Sequence, residues 1–188
     1  MNLSLASIAF FWFFLPLFVV VTLVRTKRTR LTIVLLAASL LFYWLWQGWV
    51  LLILLLDILL NYCVLLGIDR SNQRRKKQWL WLGIVSNLFV LGFFKYSYFA
   101  IDSGYQLLHL IGAQVPLTSL YLLLPLGISF YTFRLIAHLV ETARGTVPAP
   151  SLHDFALYAS FFPQLAAGPI ERPAAFYRDL HQHDAAAA

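Results

Sequence analysis

The fold is decided by LPLGISFYTFR at residues 124–134 and by FFPQLAAGPIER at residues 161–172, two stretches that place helix breakers and polar side chains within apolar sequence. Hydrocarbon offers no hydrogen bonds, so a broken backbone inside a membrane is tolerated only where it lines a cavity or is buried by neighbouring helices. The breakers are Pro125, Gly127, Pro163, Gly168 and Pro169. Their positions predict a site inside the membrane.

The composition is that of an integral membrane protein. Of the 188 residues, 61% are hydrophobic, 16% are aromatic and only 12% are charged. Soluble domains have roughly 45–50% apolar and about 25% charged residues. We therefore predict an all-α, polytopic membrane protein in which residues 1–188 form a single transmembrane region.

Five predicted spans are long enough to cross the roughly 30 Å hydrocarbon core as helices. The apolar run 31–68 must hold two of them, with a tight turn near Gln47, Gly48 and Trp49, because it has 38 residues interrupted only by Asp57. The other predicted spans are residues 3–24, 78–94 and 119–140.

The remaining segments are expected to lie outside the full spans. Residues 96–118 are amphipathic and predict a loop that carries an interfacial helix. Residues 141–154 are expected to form a cytoplasmic linker. Residues 155–170 carry no charge, but they are only 16 residues long and are broken by Pro163 and Gly168, which favours a re-entrant or tilted segment.

Two short basic runs predict the orientation in the membrane. Nine of the fourteen Lys and Arg residues lie within residues 25–30 and 70–77. Cytoplasmic loops are rich in Lys and Arg, so both runs are expected inside, with the N-terminus and residues 96–118 outside. The same runs could instead hold an anionic ligand such as the phosphates of coenzyme A. Anionic lipid headgroups are the simpler partner, and nucleic acid is not expected so near a bilayer.

Further short motifs accompany the two deciding stretches. They are Asn61-Tyr62 in the third span, GFFKY at residues 92–96, and Arg144-Gly145. With these motifs, residues 4–180 resemble the membrane-bound O-acyltransferase family, and in particular its alginate-type polysaccharide O-acetyltransferase branch. The resemblance implies a helical funnel of which this chain supplies the N-terminal half. It also implies a catalytic His in a later span, which this chain does not contain.

The resemblance further implies a reaction. The complete enzyme would move an acyl group, expected to be acetyl, from a cytoplasmic thioester such as acetyl-CoA to a hydroxyl on an extracytoplasmic polysaccharide. It would lie in the bacterial inner membrane, contact membrane lipids and work with other polysaccharide synthesis or acetylation proteins, and it would hold no bound cofactor. Residues 1–188 alone are expected to be inactive.

Arg134, His138 and Glu141 are spaced i, i+4 and i+7, which predicts one shared face of the fifth helix. A His between an Arg and a Glu can have its protonation set by either neighbour, as acid–base chemistry requires. Alternatively, Arg134 reaches the lipid headgroups and Glu141 pairs with it or with Arg144. The resemblance implies a Tyr in place of His138, so His138 is not expected to be the catalytic base.

Six side chains near the breaks are candidates for lining the substrate funnel: Ser129, Tyr131, Thr132, Arg134, Gln164 and Arg172. Backbone groups freed by the breaks, together with the Gln164 amide, could position an acyl thioester or an acceptor hydroxyl. Alternatively, Ser129 and Thr132 bond to carbonyls one turn earlier. Arg172 could meet a phosphate, or it could pair with Glu171 or Asp179.

Asp57 and Asn61 lie one helical turn apart in the third span, where an ionisable residue costs about 2.5–3.5 kcal/mol. They are expected to join helices by hydrogen bonds, with a polar path as the alternative. Cys63 is expected to pack as a small apolar side chain. The histidines His153, His181 and His183 lack suitably spaced partners, so no metal is assigned.

Two other functional classes remain open. One is a non-catalytic membrane subunit or scaffold of a polysaccharide synthesis or export complex. The other is a channel or transporter, which the broken helices favour and the lack of paired repeats opposes.

Overall fold

The computed structural model describes residues 19, 28–110, 125–167 and 171–185. All regular structure within these ranges is helical, which confirms the predicted all-α class for them. In chain order the helices are α1 (Arg28–Gln47), a 3-10 turn (Gly48–Val50), α2 (Leu51–Arg70), α3 (Gln73–Leu110), α4 (Ile128–Arg144), α5 (Leu152–Ser160), α6 (Phe162–Ala167) and α7 (Pro173–Ala185). Apart from Val19, the first predicted span lies outside the described residues.

The apolar run 31–68 folds as two helices joined at a corner, as predicted. Gly48 begins the 3-10 turn with a φ of +55°, a conformation that glycine adopts without steric cost. Both helices, α1 and α2, contact the segment that follows α4. Leu35 of α1 packs in one cluster with Leu157, and the Tyr62 hydroxyl of α2 donates to the Pro150 carbonyl at 3.4 Å.

Two helical stretches in the described part are long and apolar enough to cross a membrane. They are Thr29–Arg70, which the corner divides, and Gln73–Ser97. Helix α3 continues to Leu110, so the break that we predicted near residue 96 is wrong. The apolar stretch ends at Ser97. Residues 96–110 nevertheless contain no Pro and only one Gly, so their helical propensity persists. The total of five spans stays a prediction.

The linker after α4 is shorter than predicted and covers residues 145–151. Helix α4 continues to Arg144 and ends at Gly145, which has a φ of +77°, the left-handed conformation common after a helix. Helix α5 begins after Ser151, whose side chain accepts from the Asp154 N–H. That cap is the usual N-terminal signal of a helix.

The segment 155–170 is broken, but at Phe161 rather than at Pro163. Helix α5 ends at Ser160 and α6 begins at Phe162. Pro163 lies in the first turn of α6, where its missing N–H costs no hydrogen bond. With nine residues, α5 is roughly 14 Å long and cannot cross the hydrocarbon core. Residues 168–170 lie outside the described part, and the re-entrant or tilted placement stays a prediction.

Polar groups lie in the packed interior, whereas the outer surface is apolar. The buried polar side chains include Asp57, Asn61, Asn87, Arg134 and His138. The large apolar side chains that are more than half exposed include Leu56, Leu60, Trp81 and Phe89. Exposed apolar surface of this extent marks an interaction with a membrane or a partner.

Cys63 belongs to this outer surface. It is exposed on α2, whereas Asn61 and Leu65 on the opposite side of the helix are buried. Within the described structure Cys63 therefore does not pack in the interior, because the inner face of α2 is formed by other residues.

Close packing at Gly83 sets the position of α4. A Cβ atom at Gly83 would lie 2.5 Å from Leu139 Cδ1 of α4 and 2.9 Å from Val64 Cγ1 of α2. Small residues allow helices to approach closely in membranes. One face of α4 therefore packs on α2 and α3, and the face that carries Arg134 and His138 meets α5 and α7.

Candidate active site

The break at residues 125–127 is held by the end of α1. Gly127 precedes α4 with a φ of +68°. The Tyr43 hydroxyl donates to the Leu126 carbonyl at 3.2 Å, and the Leu126 N–H donates to Gln47 Oε1. Both backbone groups of Leu126 are thus engaged by side chains. The expectation that such groups are free to position a substrate is wrong for this residue.

Arg134 is the largest of the fully buried side chains in the described part and is 2% exposed. Its Cζ atom lies 4.3 Å from the centre of the Tyr158 ring and 5.9 Å from that of Phe176. Both rings can therefore make cation–π contacts with the guanidinium. The alternative in which Arg134 reaches the lipid headgroups is wrong, because α4 turns this side chain toward α5 and α7.

The Arg134 guanidinium has unused donors. Among the described residues, none of Nε, Nη1 and Nη2 has a hydrogen-bond partner. Glu171 lies near enough to act on its charge but forms no ion pair with it. Removing a cation from water costs several kcal/mol unless it is paired and hydrogen-bonded. We therefore expect an oxygen acceptor from outside the described residues to bind the Arg134 guanidinium.

Gln164 joins Arg134 in one polar group that also contains Glu171 and Tyr158. Gln164 Nε2 donates to Glu171 Oε2 at 2.5 Å, and the Tyr158 hydroxyl donates to the Glu171 carbonyl at 3.2 Å. Gln164 Oε1 is buried and has no partner within the described ranges. Contacts through Tyr158 and Glu171 thus connect two predicted site residues, Arg134 and Gln164.

Sequence reasoning missed two members of this group, Tyr158 and Glu171, as site residues. Glu171 is one of only eight acidic residues in the chain and lies within the second broken stretch, residues 161–172. That position was a usable signal. Tyr158 carried no such signal, because an aromatic residue in an apolar run is usual in a membrane protein.

His138 is fully buried beside this group. Its Nε2 lies 2.9 Å from the Tyr177 hydroxyl and its Nδ1 lies 3.3 Å from Thr142 Oγ1. Burial raises the pKa of the Tyr177 hydroxyl above its ordinary value, so this hydroxyl stays protonated and can donate to Nε2. With both nitrogens engaged, His138 has no free acceptor for a substrate proton.

Glu141 is the third residue of the predicted face of α4. Helix α4 is unbroken from Ile128 to Arg144, so the spacing places Glu141 on the side of Arg134 and His138, which both contact the Tyr158 ring. Its Oε2 atom is buried and lacks a partner in the part of the chain that the structure describes. The alternative in which Glu141 pairs with Arg134 or Arg144 is therefore wrong.

The hydroxyls in the first turns of α4 form a separate group. Tyr131 and Thr132 are fully buried, and their hydroxyl oxygens have no partner among the described residues. Thr132 therefore does not bond to a carbonyl one turn earlier. Tyr131 belongs to the core around Tyr43, and Ser129 is half-buried. The described contacts do not bring these three side chains to Arg134.

Arg172 lies just before α7 and is exposed. Its carbonyl accepts from the N–H groups of Ala175 and Phe176, at 3.1 Å each. Asp179 instead lies 3.5 Å from Arg178, and the Glu171 carboxylate accepts from Gln164. The alternative ion pairs of Arg172 are thus not formed in the described structure.

The predicted polar pair of α2 joins it to α3 through Asn87. Asn61 Nδ2 donates to Asn87 Oδ1 at 3.3 Å, and Asn87 Nδ2 donates back to Asn61 Oδ1 at 2.6 Å. Asn61 Nδ2 also donates to the Asp57 carbonyl at 2.9 Å. The prediction that Asp57 and Asn61 take part in joining helices is confirmed for Asn61. Asn87 was missed, although an amide within a predicted span was a visible signal.

Within the described ranges, no three His, Cys, Asp or Glu side chains come together to hold a metal ion. His153 Nε2 lies 3.1 Å from Ser151 Oγ and 3.8 Å from an Asp154 carboxylate oxygen, so its neighbours belong to the start of α5. The side chains of His181 and His183 lie outside the described part.

Comparison with curated proteins finds relatives along nearly the whole chain. The chain is 39% identical over 178 residues to the probable alginate O-acetylase AlgI of Pseudomonas aeruginosa, covering 93% of this chain and 33% of that protein. The Azotobacter vinelandii protein of the same name is 38% identical over 93% of the chain and 34% of its own length. A peptidoglycan O-acetyltransferase of Helicobacter pylori is 37% identical, covering 71% of this chain and 29% of that protein.

No family model matches the chain, and no solved structure matches it significantly. The chain spans about a third of the length of the curated relatives it matches, rather than the half that the resemblance implied. The identity over nearly all of its residues confirms the resemblance drawn from the motifs. The chain belongs to the alginate O-acetylase branch of the membrane-bound O-acyltransferase family.

Proposed function

We propose that this chain is part of a membrane O-acyltransferase that moves an acyl group, specifically acetyl, from a cytoplasmic thioester such as acetyl-CoA to a hydroxyl of an extracytoplasmic polysaccharide. The names of the relatives support acyl transfer, because they include alginate O-acetylases and a peptidoglycan O-acetyltransferase. These names differ in the acceptor polymer. The proposal therefore names the acceptor by class, as a polysaccharide hydroxyl.

The observation that carries the proposal is the buried Arg134 guanidinium, whose three nitrogens have no hydrogen-bond partner among the described residues. When a hydroxyl attacks a thioester, negative charge develops on the carbonyl oxygen. Donors fixed beforehand in a water-poor site stabilise such charge strongly. Arg134 would donate to this oxygen, and the rings of Tyr158 and Phe176 hold the guanidinium in place.

Gln164 would position the second reactant. Glu171 accepts a hydrogen bond from the Gln164 Nε2 atom, and Gln164 Oε1 is a buried acceptor without a partner among the described residues. It would take a hydrogen bond from the attacking hydroxyl. Ser129, Tyr131 and Thr132 would line the funnel, and the exposed Arg172 would meet a phosphate of the donor.

The attacking hydroxyl must lose a proton as the new ester bond forms, while the C–S bond breaks and the thiol leaves. In the family that this chain resembles, a His takes the proton, a role suited to its pKa near 6.5. We place that residue outside these 188 residues. Residues 1–188 would therefore hold and orient the reactants but would not complete the reaction.

The proposed location is the bacterial inner membrane. Residues 25–30 and 70–77 would face the cytoplasm, the N-terminus and residues 96–118 would face outside, and lipids would cover the apolar surface. Polysaccharide synthesis or acetylation proteins would be the partners.

A chimera tests the proposed function. In the relative from Pseudomonas aeruginosa, the 178 matching residues are replaced by the corresponding part of this chain. The chimera should restore O-acetyl groups to the polysaccharide of a strain that lacks the relative, as measured by NMR of the purified polymer.

A matched chimera with Arg134→Met separates catalysis from scaffolding. It should reach the same abundance in membranes but leave the polymer without acetyl groups. If it restores acetylation fully, this segment acts as a scaffold and not as part of the site.

A further inference from the structure

A cleft of about 340 Å³ opens between the start of α3 and the end of α4. Three cationic side chains line it, Lys76 and Lys77 from α3 and Arg144 from α4. The apolar part of its lining is formed by Leu80, Val140 and Ala143. The cleft is thus built by two helices and combines a basic rim with an apolar floor.

The three cations of the cleft have no anionic partner in the described structure. None of their side chains forms an ion pair or a hydrogen bond with a described residue, and the cleft lining contains no acidic residue. Like charges that converge from two helices repel one another. An anion supplied from outside the chain would offset this repulsion.

The position of the cleft along α3 indicates where that anion would lie. The apolar stretch Gln73–Ser97 begins at the cleft, and Trp79 and Trp81 follow at 37% and 57% exposure. Tryptophan is enriched at the membrane–water interface. The cationic rim therefore lies at the level of lipid phosphates, and the apolar floor lies where acyl chains begin.

We propose that this cleft binds a phosphate group, and that the phosphate is that of an anionic phospholipid. Lys76 and Lys77 would act as point charges, and the planar Arg144 guanidinium would bind two phosphate oxygens at once. Coenzyme A offers the same phosphate chemistry, but its polar adenosine does not match the apolar floor. The proposal does not depend on acyl transfer.

The test uses the full-length protein that contains this chain, in nanodiscs of phosphatidylcholine with added phosphatidylglycerol. Native mass spectrometry measures the occupancy of bound phosphatidylglycerol. The pair Lys76→Gln/Lys77→Gln should weaken binding at least about 10-fold, and Arg144→Gln should weaken it about 5-fold, as expected for lost basic residues at an anionic surface.

The matched control is Arg74→Gln/Arg75→Gln. It removes the same charge from the same end of α3, but these residues do not line the cleft. It should change binding less than about 2-fold, and Arg144→Lys should restore only part of the affinity lost in Arg144→Gln, because Lys keeps the charge but lacks the planar fork. Equal weakening by the control pair and by the cleft pair would overturn the proposal, because the total charge at the start of α3 would then explain the binding.

A second arm distinguishes the source of the phosphate. Coenzyme A is titrated calorimetrically into nanodiscs of phosphatidylcholine alone. We expect binding that the cleft variants leave unchanged. If the cleft variants abolish coenzyme A binding and leave phosphatidylglycerol binding intact, the cleft is a phosphate site for the donor and the lipid assignment is wrong.

Discussion

The Arg134 guanidinium carbon lies 4.3 Å from the centre of the Tyr158 ring, inside a helical assembly whose outer surface is apolar. Tyr158 in turn donates to the carbonyl of Glu171. These contacts place a cation from the first broken stretch next to the second one.

Arg134→Met in the full-length protein should lower acyl transfer at least about 100-fold, the effect of losing one donor to a developing oxyanion. The free energy of unfolding should change by less than about 2 kcal/mol, because lost cation–π contacts and relief of an unpaired buried charge oppose each other. Transfer rates and thermal melting in detergent measure the two quantities. Arg134→Lys, which keeps the charge without the planar fork, should be intermediate. Unchanged transfer by Arg134→Met would remove Arg134 from the site.

Gln164→Ala should lower transfer at least about 10-fold, equivalent to about 1.4 kcal/mol of barrier. The expected cause is the loss of the Oε1 acceptor, which has no other role among the described contacts. If Gln164 only supported Glu171, its removal would instead lower stability by about 1–3 kcal/mol and spare the reaction. Melting temperature and rate are therefore measured on the same preparation. Normal rates with a lowered melting temperature would assign Gln164 to packing.

The amide pair of Asn61 and Asn87 should be energetically coupled. A double-mutant cycle with Asn61→Ala and Asn87→Ala should give a coupling of about 0.6–1.7 kcal/mol, the range of interhelical hydrogen bonds in membranes. Unfolding in mixed micelles with increasing SDS provides the free energies. Ser86→Ala is the control, because Ser86 Oγ bonds only to the Gly83 carbonyl of its own helix. A coupling near zero would mean that the pair does not fix α2 against α3.

The orientation can be measured by labelling single cysteines from either side of the membrane. In a Cys63→Ala background, Gly104→Cys should react only from outside and Thr146→Cys only from the cytoplasm. Both positions are exposed, and a Cβ at Gly104 meets no atom within 4 Å. Labelling of position 104 from the cytoplasm alone would reverse the proposed map.

Purified residues 1–188 should neither hydrolyse an acetyl thioester nor transfer its acyl group. The reason is that His138 has both ring nitrogens engaged and the proposed catalytic His lies elsewhere. Thiol release and acetyl transfer are measured above the rate without protein. Turnover that disappears in His138→Ala would show that the catalytic residue lies in this chain after all.

Much of the fold could be predicted, because its signals are local. The corner could be predicted from the length of the apolar run and from the glycine within it. In the structure Gly48 has the positive φ that the corner requires. The end of α4 was placed too early, although Gly145 was a visible stop signal. The continuation of α3 could not be derived from hydropathy, because residues 96–110 lose apolar character without losing helical propensity.

The candidate site could be predicted only in part. Arg134 and Gln164 stood out as polar residues within apolar sequence, and the fold brings them together. Tyr158 and the Glu171 carbonyl matter because of tertiary contacts, which no local pattern encodes. The same holds for Leu126, whose backbone looked free in the sequence but is bonded to the end of α1.

That contact between Leu126 and the end of α1 has a consequence for biogenesis. A nascent chain is synthesised from its N-terminus, so Tyr43 and Gln47 are made well before Leu126. Their side chains are therefore already present when residues 125–127 enter the bilayer. They can bond the N–H and carbonyl of Leu126 before any later segment is made. The order of synthesis thus allows both polar backbone groups of Leu126 to be hydrogen-bonded during insertion, when hydrocarbon would leave them unsatisfied.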